Sequence, residues 1–150
     1  MTRIFEYRSV INTTIEEVIE FHEKPKALSI LTPPPIYVQV IRDERVGFDD
    51  GEVEFRLWFG PLPVRWLARQ KAGPTDTSFE DHMVKGPMRS WIHQHIFQET
   101  EAGIELIDRI EFSHKRGWRG LLTRLVFDGL PLRFLFIYRH WRTKRALVSR

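Results

Sequence analysis

Two blocks, Phe79-Glu80-Asp81-His82-Met83-Val84 and Trp91-Ile92-His93-Gln94-His95-Ile96-Phe97, decide the fold. Both alternate with period two, as a strand does when successive side chains point to opposite faces. In the first block Phe79, Asp81 and Met83 share a face, and Glu80, His82 and Val84 share the other. The intervening Gly86-Pro87 is a turn signal. Strands joined this closely pair antiparallel, because a parallel pair needs a crossover of roughly a dozen residues. The signature repeats on both sides. Upstream, residues 37–46 read as a strand closed by Asp49-Asp50-Gly51. Val53, Phe55, Leu57 and Phe59 line one face of the next. After Gly60-Pro61, Val64, Trp66 and Ala68 alternate with Arg65, Leu67 and Arg69. Downstream, the strand over 88–99 meets a turn at Ala102-Gly103. A last strand over 104–113 then places Ile104, Leu106, Asp108, Ile110 and Phe112 on one face. Such a run predicts an antiparallel meander with one covered side.

The flanks change period. Residues 3–10 read as one more strand. Thr13 with Glu16, or Thr14 with Glu17, forms a capping box ahead of a helix carrying Ile15, Val18 and Ile19. Pro25 ends that helix or opens a second with Ala27, Leu28 and Leu31, and Thr32-Pro33-Pro34-Pro35 forces extended chain. Residues 119–128 are amphipathic. Pro131 suits the first turn of a long helix over about 131–149, whose opening residues 132–138 are apolar almost all round and are expected to be buried on more than one side. The fold class expected is α+β. A strongly curved antiparallel sheet of about seven strands wraps around a long C-terminal helix, with two short helices after the first strand.

Composition sets further bounds. The 150 residues are 42% hydrophobic and 29% charged, an ordinary globular composition expected to form a single domain over 1–150. With 11 Phe, 5 Trp and 3 Tyr, the rings must line a large core or a cavity. Zero Cys excludes disulfides, thiolate metal sites and a thiol nucleophile, and fits a reducing, cytoplasmic setting. The opening residues lack an apolar core of signal-peptide length. Neither a phosphate-binding glycine loop, a dinucleotide fingerprint nor a GxSxG nucleophile motif is present. The net charge of +3 is uneven. Residues 114–150 carry ten Lys and Arg against one acid, Asp128, for +9, and residues 1–113 carry −6. A basic segment of this kind is either a solvated face or a contact for an anionic membrane. Nucleic acid is not expected, because the rings are committed to the interior.

Five segments resemble the START-like (SRPBCC) superfamily, in particular small bacterial ligand-binding members: LTPP at 31–34, FGPLPVRW at 59–66, FEDHMVKGPMRSWIHQHIF at 79–97, LIDRIEFSH at 106–114 and FLFIYRH at 134–140. The resemblance implies the helix-grip fold and a deep hydrophobic cavity between sheet and last helix. It also implies either a carrier of a lipid, polyketide or aromatic metabolite, or a cyclase-, dehydratase- or hydrolase-type enzyme. It supplies neither metal nor cofactor, and none is expected.

Within such a cavity, Trp91, His93, His95 and Phe97 point inward in one phase, and Ile92, Gln94 and Ile96 in the other; the larger rings favour the first. Asp81 and Asp108 on neighbouring strands then join the two imidazoles. The cluster is open to three roles. It could be a structural His–Asp pairing, a polar anchor for a ligand's carboxyl, hydroxyl or carbonyl end, or a centre for metal or general-base chemistry. His93, His95, Asp81 and Asp108 are the catalytic candidates. The expected ligand-binding set is Phe55, Leu57, Trp66, Phe79, Trp91, His93, His95, Phe97, Asp108, Phe136, Tyr138 and Arg139. Arg139 either reaches a ligand carboxylate or caps the helix dipole, the cap being preferred. His22, His82, His114 and His140 look isolated. The expected partner is a small hydrophobic molecule, with transient membrane contact and a homodimer left open.

Overall fold

The computed structural model describes residues 1–148. Seven strands form one antiparallel sheet in the order β1-β7-β6-β5-β4-β3-β2, where β1 is Arg3–Ile11, β2 Tyr37–Asp43, β3 Glu52–Phe59, β4 Leu62–Ala72, β5 Ser78–Lys85, β6 Ser90–Thr100 and β7 Gly103–Ser113. Helices α1 (Ile15–Glu23) and α2 (Ala27–Ile30) follow β1, and α3 (Trp118–Arg124) and α4 (Gly129–Val148) close the chain. The long connection through α1 and α2 carries the chain from one edge of the sheet to the other. From β2 onward every strand pairs with the next. Register shifts between Val40 and Arg42, and between Leu67 and Ala68, add the local twist that helps bend the sheet.

The period-two faces hold. Val53, Phe55 and Leu57 of β3, and Ile104, Leu106, Asp108, Ile110 and Phe112 of β7, are all buried. At α1 the cap is Thr14, whose hydroxyl oxygen accepts from the Glu17 amide, while the Thr13 hydroxyl donates to the Glu17 carboxylate. One core joins the concave face of the sheet to Phe127, Leu132 and Phe136. A second joins α1 to β5, β6 and β7 through Val18, Phe21, Phe79 and Phe97. Asp128 ties the start of α4 in place: its carboxylate accepts from the Gly129 amide, from Arg3 and from His114.

Three expectations need correction. β2 ends at Asp43, short of Val46, because Val46 bridges Asp50 within its own turn. The last helix begins at Gly129, and Ser149 lies outside the described residues. Its opening turns are not buried all round. One stripe, Leu132, Phe136, His140, Thr143 and Leu147, packs inward, while Leu130, Phe134 and Ile137 face solvent. A helix laid on a sheet has one side to bury, however apolar the others are.

The two faces differ in energetic weight. Leu132 is 0% exposed and Leu130 81%. Leu132→Ala should lower unfolding stability by about 2–5 kcal/mol in urea denaturation, and Leu130→Ala should change it by no more than about 0.5 kcal/mol.

Candidate functional site

Between the concave sheet, α2 and α4 lies a cavity of about 160 Å³. Phe55, Leu57, Trp66, Phe79, Trp91 and Phe136 supply apolar wall, as the alternation of β3 to β6 requires. Trp66 meets Trp91 edge-on with ring centres 5.4 Å apart, a preferred aromatic geometry. His93, His95, Asp81 and Arg139 supply polar wall.

The strand registers bring the polar groups together. Asp81 on β5 is paired with His93 on β6, and His95 on β6 with Asp108 on β7. The side chains then cross. The His95 Nε2–H donates to Asp81 at 2.8 Å, and the His93 Nε2–H donates to Asp108 at 2.6 Å. The two imidazoles stack with centres 3.7 Å apart. The His140 Nε2–H, from α4, donates to the other Asp108 oxygen at 2.5 Å, and His140 Nδ1 accepts from the Ser9 hydroxyl of β1. Asp108 thus joins β7, β6 and α4.

Burial works against the ionised form of Asp108, yet the hydrogen bonds from His140 and His93 hold its carboxyl well below the usual range. Asp81 is also lowered: burial, the largest single influence, opposes this, but the hydrogen bond and charge of His95, the charge of His93 and a hydrogen bond from Gln70 together outweigh it. Burial, with His95 nearby, pushes His93 down to about 4, so its ring is neutral at physiological pH. Because Nε2 holds the proton given to Asp108, the His93 lone pair resides on Nδ1.

Three of the expected ligand-binding residues lie outside this wall. Phe97 is buried in the second core, against His22 and Phe79. Asp108 sits behind the imidazoles that it orients. Tyr138 lies on the outward side of α4, its ring tilted against Trp141 with centres 5.9 Å apart. Arg139 lies in mid-helix, nine residues before the last described turn ends at Val148, so it does not cap the helix dipole. It lines the cavity instead. Among the described residues its guanidinium has no ion pair and no hydrogen bond; it rests 5.4 Å from the Phe136 ring centre. Burial lowers its pKa, countered by the more distant charges of Asp108 and Asp81.

Sequence reasoning missed three contributors. His22 lines the cavity; its Nδ1–H donates to the Val18 carbonyl, which leaves Nε2 as an acceptor. Burial and then His95 push it down to about 3. His140, which looked isolated, shares Asp108. Gln70 of β4 is a wall residue whose Oε1 is buried without a hydrogen-bond partner. Of these, His22 left a trace in the sequence by falling on the helical face of Ile15, Val18 and Ile19, and Gln70 by continuing the alternation of Val64, Trp66 and Ala68.

Asp81, His93 and His95 bring one ligating atom each within 4.8 Å of one another, a set suited to a divalent ion, which is one of the roles the strand spacing left open. Both imidazoles already hold carboxylates through Nε2.

No family model matches the chain, and no curated protein matches it. Solved structures do. The Zhui aromatase/cyclase from Streptomyces sp. R1128 superposes with a TM-score of 0.67 at 12% identity, over 99% of this chain and 98% of that one. Ginseng major latex-like protein 151 from Panax ginseng gives 0.70 at 12% identity, over 98% of each chain. The chain thus shares the helix-grip fold of these structures. A nucleoside-diphosphate sugar epimerase from Corynebacterium glutamicum gives 0.67 at 24% identity over 94% of this chain, which spans only 28% of the epimerase's length. The helix-grip cavity described above lies where the sheet curves around its last helix.

The neutral His22 links this cavity to stability. Folded, it stays neutral until about pH 3, whereas an ordinary histidine protonates near 6.5. Between these values the unfolded chain binds more protons, so stability is full above 6.5 and falls as pH drops. His93 adds to the fall, and the lowered Asp81 and Asp108 act only below their ordinary 3.8. Calorimetric Tm should therefore decline from pH 6.5 to about 4, and His22→Gln should make the decline shallower; parallel slopes would contradict the assignment.

Proposed function

We propose that residues 1–150 act as one ligand-binding domain that holds a small, mostly apolar molecule with an acidic or oxygen-rich end. The observation that carries this reading is the cavity wall itself. Aromatic and aliphatic side chains cover most of it, and among them stands a guanidinium, that of Arg139, with no ion pair among the described residues. A cavity of this kind gains affinity from buried apolar surface and orientation from a few placed polar groups. An unpaired buried guanidinium is costly, and a carboxylate or other oxyanion offers it two parallel hydrogen bonds. The unpartnered Gln70 Oε1 supplies an acceptor in the same wall. Size narrows the class further, since a void of about 150 Å³ holds a single benzene ring. The fold is also that of a protein named as an aromatase/cyclase, which is consistent with an aromatic cargo.

A second reading, a cyclase, dehydratase or hydrolase, is favoured by one feature. His93 keeps a lone pair on Nδ1 while Asp108 fixes its ring, which is the arrangement of an oriented general base. His95 with Asp81 repeats the pairing.

Phenylacetate and phenylethanol are near-isosteres that differ in charge, and quenching of tryptophan fluorescence reports their uptake beside Trp66 and Trp91. The wild type should bind phenylacetate about tenfold more tightly, a typical value for one charge-assisted pair. Arg139→Gln should abolish the preference and leave phenylethanol binding intact. Binding of neither molecule would remove the cavity reading, and equal binding of both by the wild type would remove the role of Arg139. For the enzyme reading, mass spectrometry of a co-purified molecule should find it converted by the wild type and unconverted by His93→Gln/His95→Gln.

A further inference from the structure

Helix α4 carries a second apolar stripe that its own fold leaves uncovered. Leu130, Phe134, Ile137, Trp141 and Val148 follow one another at i, i+4, i+7, i+11 and i+18, so all lie along one side of the helix. All five are exposed, Leu130 at 81% and Phe134 at 61%. The opposite stripe, through Leu132, Phe136 and Leu147, is sunk in the cores. Helix α3, which ends four residues before α4 begins, adds exposed Trp118, Leu121 and Leu122. Single exposed apolar residues are ordinary, but a full-length stripe of Leu, Phe, Ile and Trp calls for a covering partner.

Charge says which partner. Arg133, Lys144 and Arg145 flank the α4 stripe, and Arg116, Arg119 and Arg124 surround the α3 residues, all of them exposed. Arg145 lies 5.5 Å from the Trp141 ring centre, and Arg119 the same distance from Trp118. The lone acid of residues 114–150, Asp128, is buried and already paired with Arg3 and His114. Two copies joined through this stripe would bring two +9 segments face to face. An anionic lipid surface accepts both features together. Apolar side chains enter the acyl boundary by about 5–10 Å, tryptophans settle at the headgroups, and each cation near the surface adds its own attraction. No described helix is long and apolar enough to cross a membrane, and α4 is pinned to the sheet on its other side, so the helix would lie flat.

We infer that the outer face of α4, extended by α3, docks the protein peripherally on anionic membranes. This contact is independent of what the cavity holds. It differs from ordinary basic adsorption in needing the apolar stripe as well as the charge.

The test mixes the full chain with vesicles of phosphatidylcholine alone, or of phosphatidylcholine with phosphatidylglycerol, and sediments them. Partition should be about tenfold stronger with phosphatidylglycerol and should weaken as salt is raised. Leu130→Ser/Phe134→Ser should lower it about tenfold, and Arg133→Glu/Lys144→Glu should remove the preference for the anionic lipid. These side chains face solvent, so all variants should keep the wild-type thermal unfolding and phenylacetate binding. Absence of binding to either vesicle, or equal binding to both, overturns the inference. So does a micromolar dimer in light scattering that Leu130→Ser/Phe134→Ser dissolves, since the stripe would then belong to a second copy.

Discussion

A carboxylate in the interior must be held, and Asp108 is held from two directions. His93 reaches it along the sheet and His140 reaches it from α4. Removing either donor would leave one buried carboxylate oxygen without its hydrogen bond, a change that typically costs about 1–3 kcal/mol. The packing of α4 and the orientation of the site are therefore one problem with one solution. The carboxylate that docks the last helix through His140 also sets which nitrogen of His93 carries the proton.

That docking determines what space remains. With α4 anchored through His140 and Phe136, the bent sheet leaves a void on the side of Phe55, Trp66 and Trp91. Rings fill such a space poorly, because they are flat, rigid and prefer edge-on contacts. The polar residues cluster at one part of the wall because β5 and β6 deliver Asp81, His93 and His95 in register and α4 delivers Arg139. An apolar chamber with one polar part is the arrangement that orients an amphipathic molecule.

The last helix serves two environments. Its inward stripe is fixed by the cores, and its outward stripe stands exposed among the described residues. A helix with apolar residues almost all round ordinarily signals complete burial. Here the second stripe lies exposed, with arginines beside it.

Alternation within residues 52–59, 79–84, 91–97 and 104–113 was enough to determine the meander and its inner face, because a strand's side-chain direction is set locally and repeats every two residues. It was also enough to gather His93, His95, Asp81 and Asp108, since neighbouring strands in a meander pair in sequence order. Tertiary structure alone decided the rest. Asp108 and Phe97 share the inner face yet stand behind the cavity wall, because α1 and α4 cover them. His22 and His140 join the site from helices remote in the chain, and no local spacing encodes such a meeting. Which stripe of α4 is buried was equally unreadable. Leu130 and Leu132 are the same residue type two positions apart, and only the placement of the sheet sends one to water and the other to the core.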